Sequence, residues 1–112
     1  MKIIYPAETV TLTIPLYYSP EEVAAVEVDF EQDGVIKLTR TVDTIEDGDD
    51  GGGKFTITLD PDETALFQAN HLAHYQVRVD LGGIYDILPA VGIGVREYYR
   101  HKTKKRCCCG AI

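Results

Sequence analysis

The chain has no tryptophan and one methionine, and its three cysteines are consecutive, Cys107 to Cys109. A disulfide framework needs distant partners that close a loop, so a contiguous, odd-numbered set excludes one. Paired zinc ligands are separated by two or more residues, so the triplet does not match a zinc site either. The sequence leaves the role of Cys107, Cys108 and Cys109 open.

Long apolar runs are also missing. No segment approaches the ~18 consecutive apolar residues that would span a bilayer. Residues 1–6 lack the apolar stretch of a secretory signal. We therefore expect no membrane partner and synthesis in a cytoplasm.

The motifs of common catalytic classes are absent as well. There is no Gly-x-Ser-x-Gly elbow, phosphate-binding loop or dinucleotide fingerprint. His71 and His74 are three residues apart, but no Cys, Asp or Glu beside them completes a ligand set. The acidic, glycine-rich loop 46–53 does not match a calcium-binding EF-hand, because position twelve from Asp47 is Thr58 instead of Glu. The sequence predicts no enzyme, no cofactor and no metal, and whether loop 46–53 binds anything stays open.

What the chain does have is an uneven distribution of charge. Its 112 residues carry 18 acidic and 11 basic side chains, for a net charge of −7. Residues 1–95 hold 17 of the acids and five of the bases, for −12, whereas residues 96–112 hold six bases and one acid, for +5. An acidic body therefore continues into a basic arm. We predict one domain at residues 1–95 and a basic, cysteine-ending C-terminal arm at residues 96–112.

Alternating apolar and polar residues predict β-strands through most of the body. Val10–Leu16 alternates over its whole length. Pro15 lies within it and cannot donate a ladder hydrogen bond, which predicts that this strand lies at a sheet edge or ends there. Asp33-Gly34 and Gly82-Gly83 predict tight hairpins.

One short helical element is predicted after the fourth strand. Asp60 is the expected N-cap, Pro61 follows at the first helical position, and Glu63 stands three residues after the cap. The apolar residues expected to plug one end of the core are Ala65, Leu66 and Phe67. With seven or eight short strands, this pattern predicts an all-β fold, an antiparallel, Ig-like β-sandwich with an extended basic C-terminal tail.

Arg40 is the one charged residue that interrupts the alternation of its strand. If Ile36, Leu38 and Val42 form the buried face, Arg40 points to the interior or to an interface. The alternative is a side chain that snorkels near a sheet edge. Our candidates for contacts between subunits are Arg40, Arg78, Arg96, Arg100, Lys102, Lys104, Lys105 and Arg106.

Several functions of the basic arm are compatible with its sequence. If the arm of one copy lies on the acidic body of the next, the result is a head-to-tail homo-oligomer, a ring or a tube. An unpaired edge strand such as Val10–Leu16 also offers a place where a neighbour's strand can add. The alternatives are a solvated tail, an acylated polybasic anchor, and contact with nucleic acid through the arm. The acidic body opposes nucleic acid everywhere else.

Three segments carry a resemblance to a known family: VEVDFEQDG at residues 26–34, LDPDETALF at residues 59–67 and YQVRV at residues 75–79. In this order, over about residues 23–95, the chain resembles small β-sandwich virion structural proteins of tailed phages and prophages of Gram-positive bacteria. The resemblance implies a non-enzymatic subunit of a head–tail connector, tail, baseplate or capsid surface. It also implies location in the virion with other virion proteins as partners, and it transfers no functional residues. A carbohydrate- or cell-surface-binding module is the alternative, because seven tyrosines offer stacking platforms.

Overall fold

The computed structural model describes residues 2–48 and 51–97, which form two packed sheets. The larger sheet contains β1 (Lys2–Ile4), β3 (Ala25–Gln32), β4 (Val35–Val42), β7 (Ala73–Asp80), β8 (Tyr85–Ile87) and β9 (Val91–Val95). The smaller sheet contains β2 (Val10–Pro15), β5 (Glu46–Asp47) and β6 (Gly53–Leu59). A 3-10 turn, Pro20–Glu22, precedes β3, and helix α1, Pro61–Thr64, follows β6.

The strand order is that of an Ig-like sandwich. The larger sheet runs β1-β9-β7-β3-β4, with β8 beside the second half of β7, and the smaller sheet runs β2-β6-β5. The chain crosses from one sheet to the other after β1, β2, β4 and β6, which is the Greek-key connection of this architecture. The prediction of an all-β, antiparallel Ig-like sandwich is confirmed. Strand β1, which runs parallel to β9, departs from the antiparallel pairing.

The core lies between the two sheets. Every second residue of β3 is buried, and the series ends at Gln32. Phe30 is at its centre, with the Phe67 ring edge-on at a centroid distance of 6.3 Å and the Tyr75 ring tilted at 6.2 Å. Burial of these rings removes a large apolar area from water and holds the sheets together.

The two predicted hairpins are present. Asp33 and Gly34 have φ angles of 55° and 81°, so both central residues of the β3–β4 turn adopt the left-handed conformation that a two-residue turn of this kind requires. In the β7–β8 turn, the Leu81 N–H donates to the Ile84 carbonyl at 2.8 Å.

One residue of the predicted buried face points outward. The β3–β4 register shifts between Phe30 and Glu31, so that Leu38 lies opposite Phe30 but Ile36 lies opposite Glu31. The inserted residue of this β-bulge moves the preceding side chain to the other face of the sheet. Ile36 is therefore 58% exposed, and the prediction that it is buried is wrong. Leu38 and Val42 pack against the core as expected.

Helix α1 has the predicted cap but is a single turn. The Asp60 carboxylate accepts from the Glu63 N–H at 2.9 Å, and the Glu63 carboxylate accepts from the Asp60 N–H at 3.0 Å. Phe67 is buried with Thr64, three residues earlier, but Ala65 and Leu66 are exposed, because consecutive residues at the end of a helix point in different directions. The prediction that all three plug the core is wrong for these two. Among the described residues, no helix has the length and apolar character needed to cross a membrane.

Candidate functional site

Strand β2 forms one edge of the smaller sheet. The Leu16 N–H donates to the Gly53 carbonyl at 2.7 Å, and Val10 lies opposite Leu59 at the other end of the β2–β6 pair. Because backbone groups alternate sides along a strand, the even-numbered residues of β2 bond to β6. The N–H and C=O groups of Thr11 and Thr13 consequently point away from β6. Within residues 2–48 and 51–97, β6 is the one strand that pairs with β2, so this open edge confirms the predicted edge strand.

Pro15 belongs to the outward-pointing set of β2 residues. Its missing N–H would have faced the open side, so the β2–β6 ladder loses no hydrogen bond to it. This is the position at which a strand tolerates proline.

The solvent-facing side of the smaller sheet is a ladder of threonines. Thr11 and Thr58 share a hydroxyl hydrogen bond of 3.2 Å, and Thr13 and Thr56 share one of 3.4 Å. The side chains of β2 itself, VTLTIP, carry no charge. The open edge therefore presents backbone groups beside uncharged side chains of its own strand, with Lys54 of β6 opposite Pro15.

An apolar groove of about 190 Å³ lies next to the open edge. Its lining includes Ile14 of β2, Val77 of β7, and Leu88 and Val91. Tyr17 also lines it and is 88% exposed. An exposed aromatic side chain beside unpaired backbone groups is typical of a contact surface.

The groove forms at the part of β7 that pairs with neither β8 nor β9. Strand β9 pairs with residues 73–75 of β7 and β8 pairs with residues 78–80. Between them, Pro89 and its neighbours bridge the gap, held by Leu88, whose N–H donates to the Val77 carbonyl at 2.9 Å. The Gln76 side-chain amide donates to the Leu88 carbonyl at 3.1 Å.

Arg40 is on the inward-facing side of β4, as its interruption of the strand pattern suggested. Its Nη1 lies 2.9 Å from both carboxylate oxygens of Glu63 and donates to the Thr58 carbonyl at 3.2 Å. The side chain thus links β4 of the larger sheet to β6 and α1. Arg40 is engaged within its own subunit, and its contact with a second subunit stays a prediction.

Arg78 lies on the outer face of the larger sheet. Its guanidinium carbon is 4.7 Å from the centre of the Tyr85 ring, and its Nη2 is 3.5 Å from the Glu27 carboxylate. About half of the side chain is exposed, so the ion pair is a weak one, worth about 0–1 kcal/mol. Arg96 is exposed, and its backbone N–H donates to the Ile4 carbonyl at 3.0 Å.

The other predicted contact residues lie outside the described residues. So do Asp49 and Asp50 of loop 46–53. These contact candidates are Arg100, Lys102, Lys104, Lys105 and Arg106. The three cysteines, Cys107, Cys108 and Cys109, also lie outside the described residues.

A row of acids follows the outer face of β3. Glu31 is paired with His74 at 3.4 Å, and Asp29 accepts from the Thr39 hydroxyl at 2.7 Å. Both acids border a shallow depression of about 430 Å³. His71 pairs separately with Asp33 at 3.1 Å. Among residues 2–48 and 51–97, no three His, Cys, Asp or Glu side chains are grouped as metal ligands.

Two tyrosines have perturbed acidity. A hydrogen bond from Tyr18 to the Asp86 carboxylate, together with partial desolvation, raises the pKa of the Tyr18 phenol. Burial raises the pKa of Tyr75. Both phenols are neutral hydrogen-bond donors at physiological pH, so neither is an activated nucleophile.

The fold is similar to that of the extracellular Ig-like domain of mouse leukocyte-associated immunoglobulin-like receptor 1, in two crystal structures that each show a strand-swapped dimer. One has a TM-score of 0.46 and 11% sequence identity, covering 86% of this chain and 79% of that chain. The other has a TM-score of 0.46 and 12% identity, covering 85% of this chain and 86% of that chain. At these identities the likeness concerns the fold alone. No protein-family model matches the chain, and no curated protein matches it.

Proposed function

We propose that this protein is a non-enzymatic structural subunit that self-associates by adding a neighbour's strand to the open edge of β2. The observation that carries the proposal is the set of outward-pointing backbone groups at Thr11 and Thr13, which have no partner strand among the described residues. Unpaired strand edges bind extended segments through main-chain hydrogen bonds. The adjoining apolar groove supplies area that a neighbour would remove from water.

We further propose that the assembly is a tailed-phage virion, as part of a head–tail connector, tail, baseplate or capsid surface. This context rests on the resemblance of residues 23–95 to virion proteins. The acidic body and the basic arm of residues 96–112 would supply a second, charge-driven contact between copies.

The geometry favours assembly over the carbohydrate-binding alternative. A glycan platform needs aromatic faces that are exposed together. Tyr17 lines the groove beside β2, whereas Tyr85 lies on the larger sheet with its ring already covered by Arg78. Among residues 2–48 and 51–97, the two exposed tyrosine rings thus have different surroundings and do not form one stacking surface.

Proline scanning of the open edge tests the proposal. Thr13→Pro removes an N–H that points away from β6 and leaves the β2–β6 ladder intact. The native Pro15 lacks an N–H on the same side of the strand. Thr13→Val is the matched control, since it loses the same hydroxyl bond to Thr56 but keeps the N–H. Pro15→Thr restores a donor to the open side.

We expect Thr13→Pro to weaken self-association about fivefold in sedimentation velocity for each N–H that the interface loses, because a main-chain hydrogen bond contributes about 1 kcal/mol and 1.4 kcal/mol is a factor of ten. Thr13→Val should associate like the native chain, and Pro15→Thr should associate more tightly. Thermal unfolding of each variant reports whether it is folded. Equal association of folded Thr13→Pro and Thr13→Val, or no association of the native chain at any concentration, would overturn the proposal.

A further inference from the structure

We infer that the strand received at the open edge is β2 of a second copy, running antiparallel about a two-fold axis at Leu12. This inference rests on the proposed function, which requires strand addition at β2 but does not name the strand. The result would join the two three-stranded sheets into one continuous sheet in the order β5-β6-β2, then β2-β6-β5 of the partner.

Backbone parity restricts the possible registers. The residues of β2 that point outward are odd-numbered, so an antiparallel partner must place odd residues opposite odd residues. A pairing of Leu12 with Thr13 is therefore forbidden. Parity allows a two-fold axis at any residue of β2. Axes at Val10 and Ile14 place Thr11 opposite Thr9 and Thr13 opposite Pro15, respectively, so the axes left to compare pass through Thr11, Leu12 or Thr13.

Pro15 selects among these registers. An axis at Thr13 places Thr11 opposite Pro15, which has no N–H to donate. An axis at Thr11 places Thr13 opposite Thr9, which lies before the start of β2. An axis at Leu12 places Thr11 opposite Thr13 in both directions, so that the outward N–H and C=O groups of both threonines find partners.

The side chains support the same register. Thr11 already bonds to Thr58, and Thr13 bonds to Thr56. With the axis at Leu12, each row would continue across the interface as four threonines. No charge on β2 opposes its own copy, since its side chains are all neutral. Cross-strand threonine pairs stabilise antiparallel sheets, whereas like charges placed opposite each other destabilise them.

The other long edge is unsuited to such self-pairing. Strand β4 carries Lys37 at its bulge and Arg40 three residues further on. An antiparallel copy centred near the bulge would bring the exposed Lys37 close to its equivalent, whereas Arg40 is already paired with Glu63, and the bulge interrupts the ladder. Lysine and bulges are devices that protect edge strands from pairing. The chain therefore protects β4 and leaves most of β2 available.

Directed disulfides test both the strand and its register. The experiment uses the full chain with Cys107, Cys108 and Cys109 replaced by Ser, carrying either Thr11→Cys or Thr13→Cys. Directly opposite, hydrogen-bonded residues have Cα atoms about 5.5 Å apart, within disulfide range. Two Thr11→Cys copies would be diagonal, at about 8 Å from the strand spacing and rise, and out of range.

We expect a mixture of the two variants to form an interchain disulfide under mild oxidation at least five times more than either variant alone. Preferential cross-linking within the Thr11→Cys or Thr13→Cys sample would overturn the register. If neither sample nor the mixture cross-links while Thr13→Pro still weakens association, β2 receives a different strand and the inference is overturned, although the proposed function stands. A chain ending at Glu97 that still associates but no longer responds to Thr13→Pro would show that β2 receives a segment of residues 98–112, and would overturn the inference too.

Discussion

Gln32 is a fully buried polar residue, and its replacement gives a direct measure of how the loop after α1 is held. Its side-chain amide donates to the Gln68 carbonyl at 2.8 Å and to the His71 carbonyl at 3.0 Å. Its carbonyl accepts from the Gln68 N–H at 2.7 Å. The end of β3 is thereby fastened to residues 68–71, which lead into β7.

Gln32→Leu keeps nearly the same volume but leaves three backbone groups without their partners. Each such group costs about 1–3 kcal/mol when buried. Because Gln68 and His71 are themselves exposed, water reaches these groups in part, and the low end applies. The greater apolarity of leucine offsets a further part. We expect a loss of about 2–3 kcal/mol in the free energy of unfolding, or a fall of about 8–12 °C in Tm.

Chemical denaturation of the native chain, Gln32→Leu and Gln76→Leu measures this loss. Gln76 is an exposed glutamine with one hydrogen bond to a backbone carbonyl, so the control should change stability by no more than about 0.5 kcal/mol. Gln32→Glu should be less stable still at neutral pH, because its carboxylate faces two carbonyl oxygens, and should recover in acid as it becomes a donor. If Gln32→Leu costs less than about 1 kcal/mol, or no more than the control, then the hydrogen bonds do not hold the loop.

Three further predictions concern other parts of the chain. Gly53→Ala should destabilise the fold by about 1–3 kcal/mol in denaturation, because its Cβ would lie 2.8 Å from Ile45 Cγ2 and 3.1 Å from the Tyr18 carbonyl oxygen; an unchanged midpoint would contradict this. In an absorbance titration, Asp86→Asn should lower the pKa of Tyr18 towards its ordinary 10.0, since the native carboxylate raises it. The corresponding stability is present below pH 10.0 and lost as pH rises through the raised value. A chain ending at Glu97 should lose the salt-sensitive part of self-association, and the arm has no role if both chains respond alike to salt.

The fold was predictable from the sequence because local signals agreed with one another. Alternation marked most strands, the Asp33-Gly34 pair marked a hairpin, and the Asp60 cap marked α1. The misses depend on tertiary contacts. The bulge that exposes Ile36 is a shift in pairing between two strands, which neither strand encodes alone. Gln32 precedes the Asp33-Gly34 turn, so the local sequence indicates a turn residue. Its burial depends on hydrogen bonds to backbone groups 36 and 39 positions further along the chain.

The candidate site was predictable only in part. Pro15 marked β2 as an edge, because proline is excluded from the interior of a sheet. The apolar groove beside it lies between β8 and β9 along the edge of β7. Pro89 indicates an interruption of the strand there, but the groove itself depends on how β8 and β9 each pair with β7. The threonine ladder was visible as alternate threonines, but their role beside an open edge depends on knowing that β6 pairs on one side only.

Arg40 shows why the two long edges differ. A cation on the inward-facing side of an edge strand needs a counter-charge, and Glu63 supplies one at 2.9 Å while also closing the cap of α1. The link ties β4 to the opposite sheet, while Lys37 stays exposed at the bulge of the same strand. Strand β2 has no such link and no charge of its own. Addition of a strand is therefore opposed at β4 and unopposed along most of β2, so a subunit with this sequence is expected to grow its smaller sheet and to leave the larger one closed at β4.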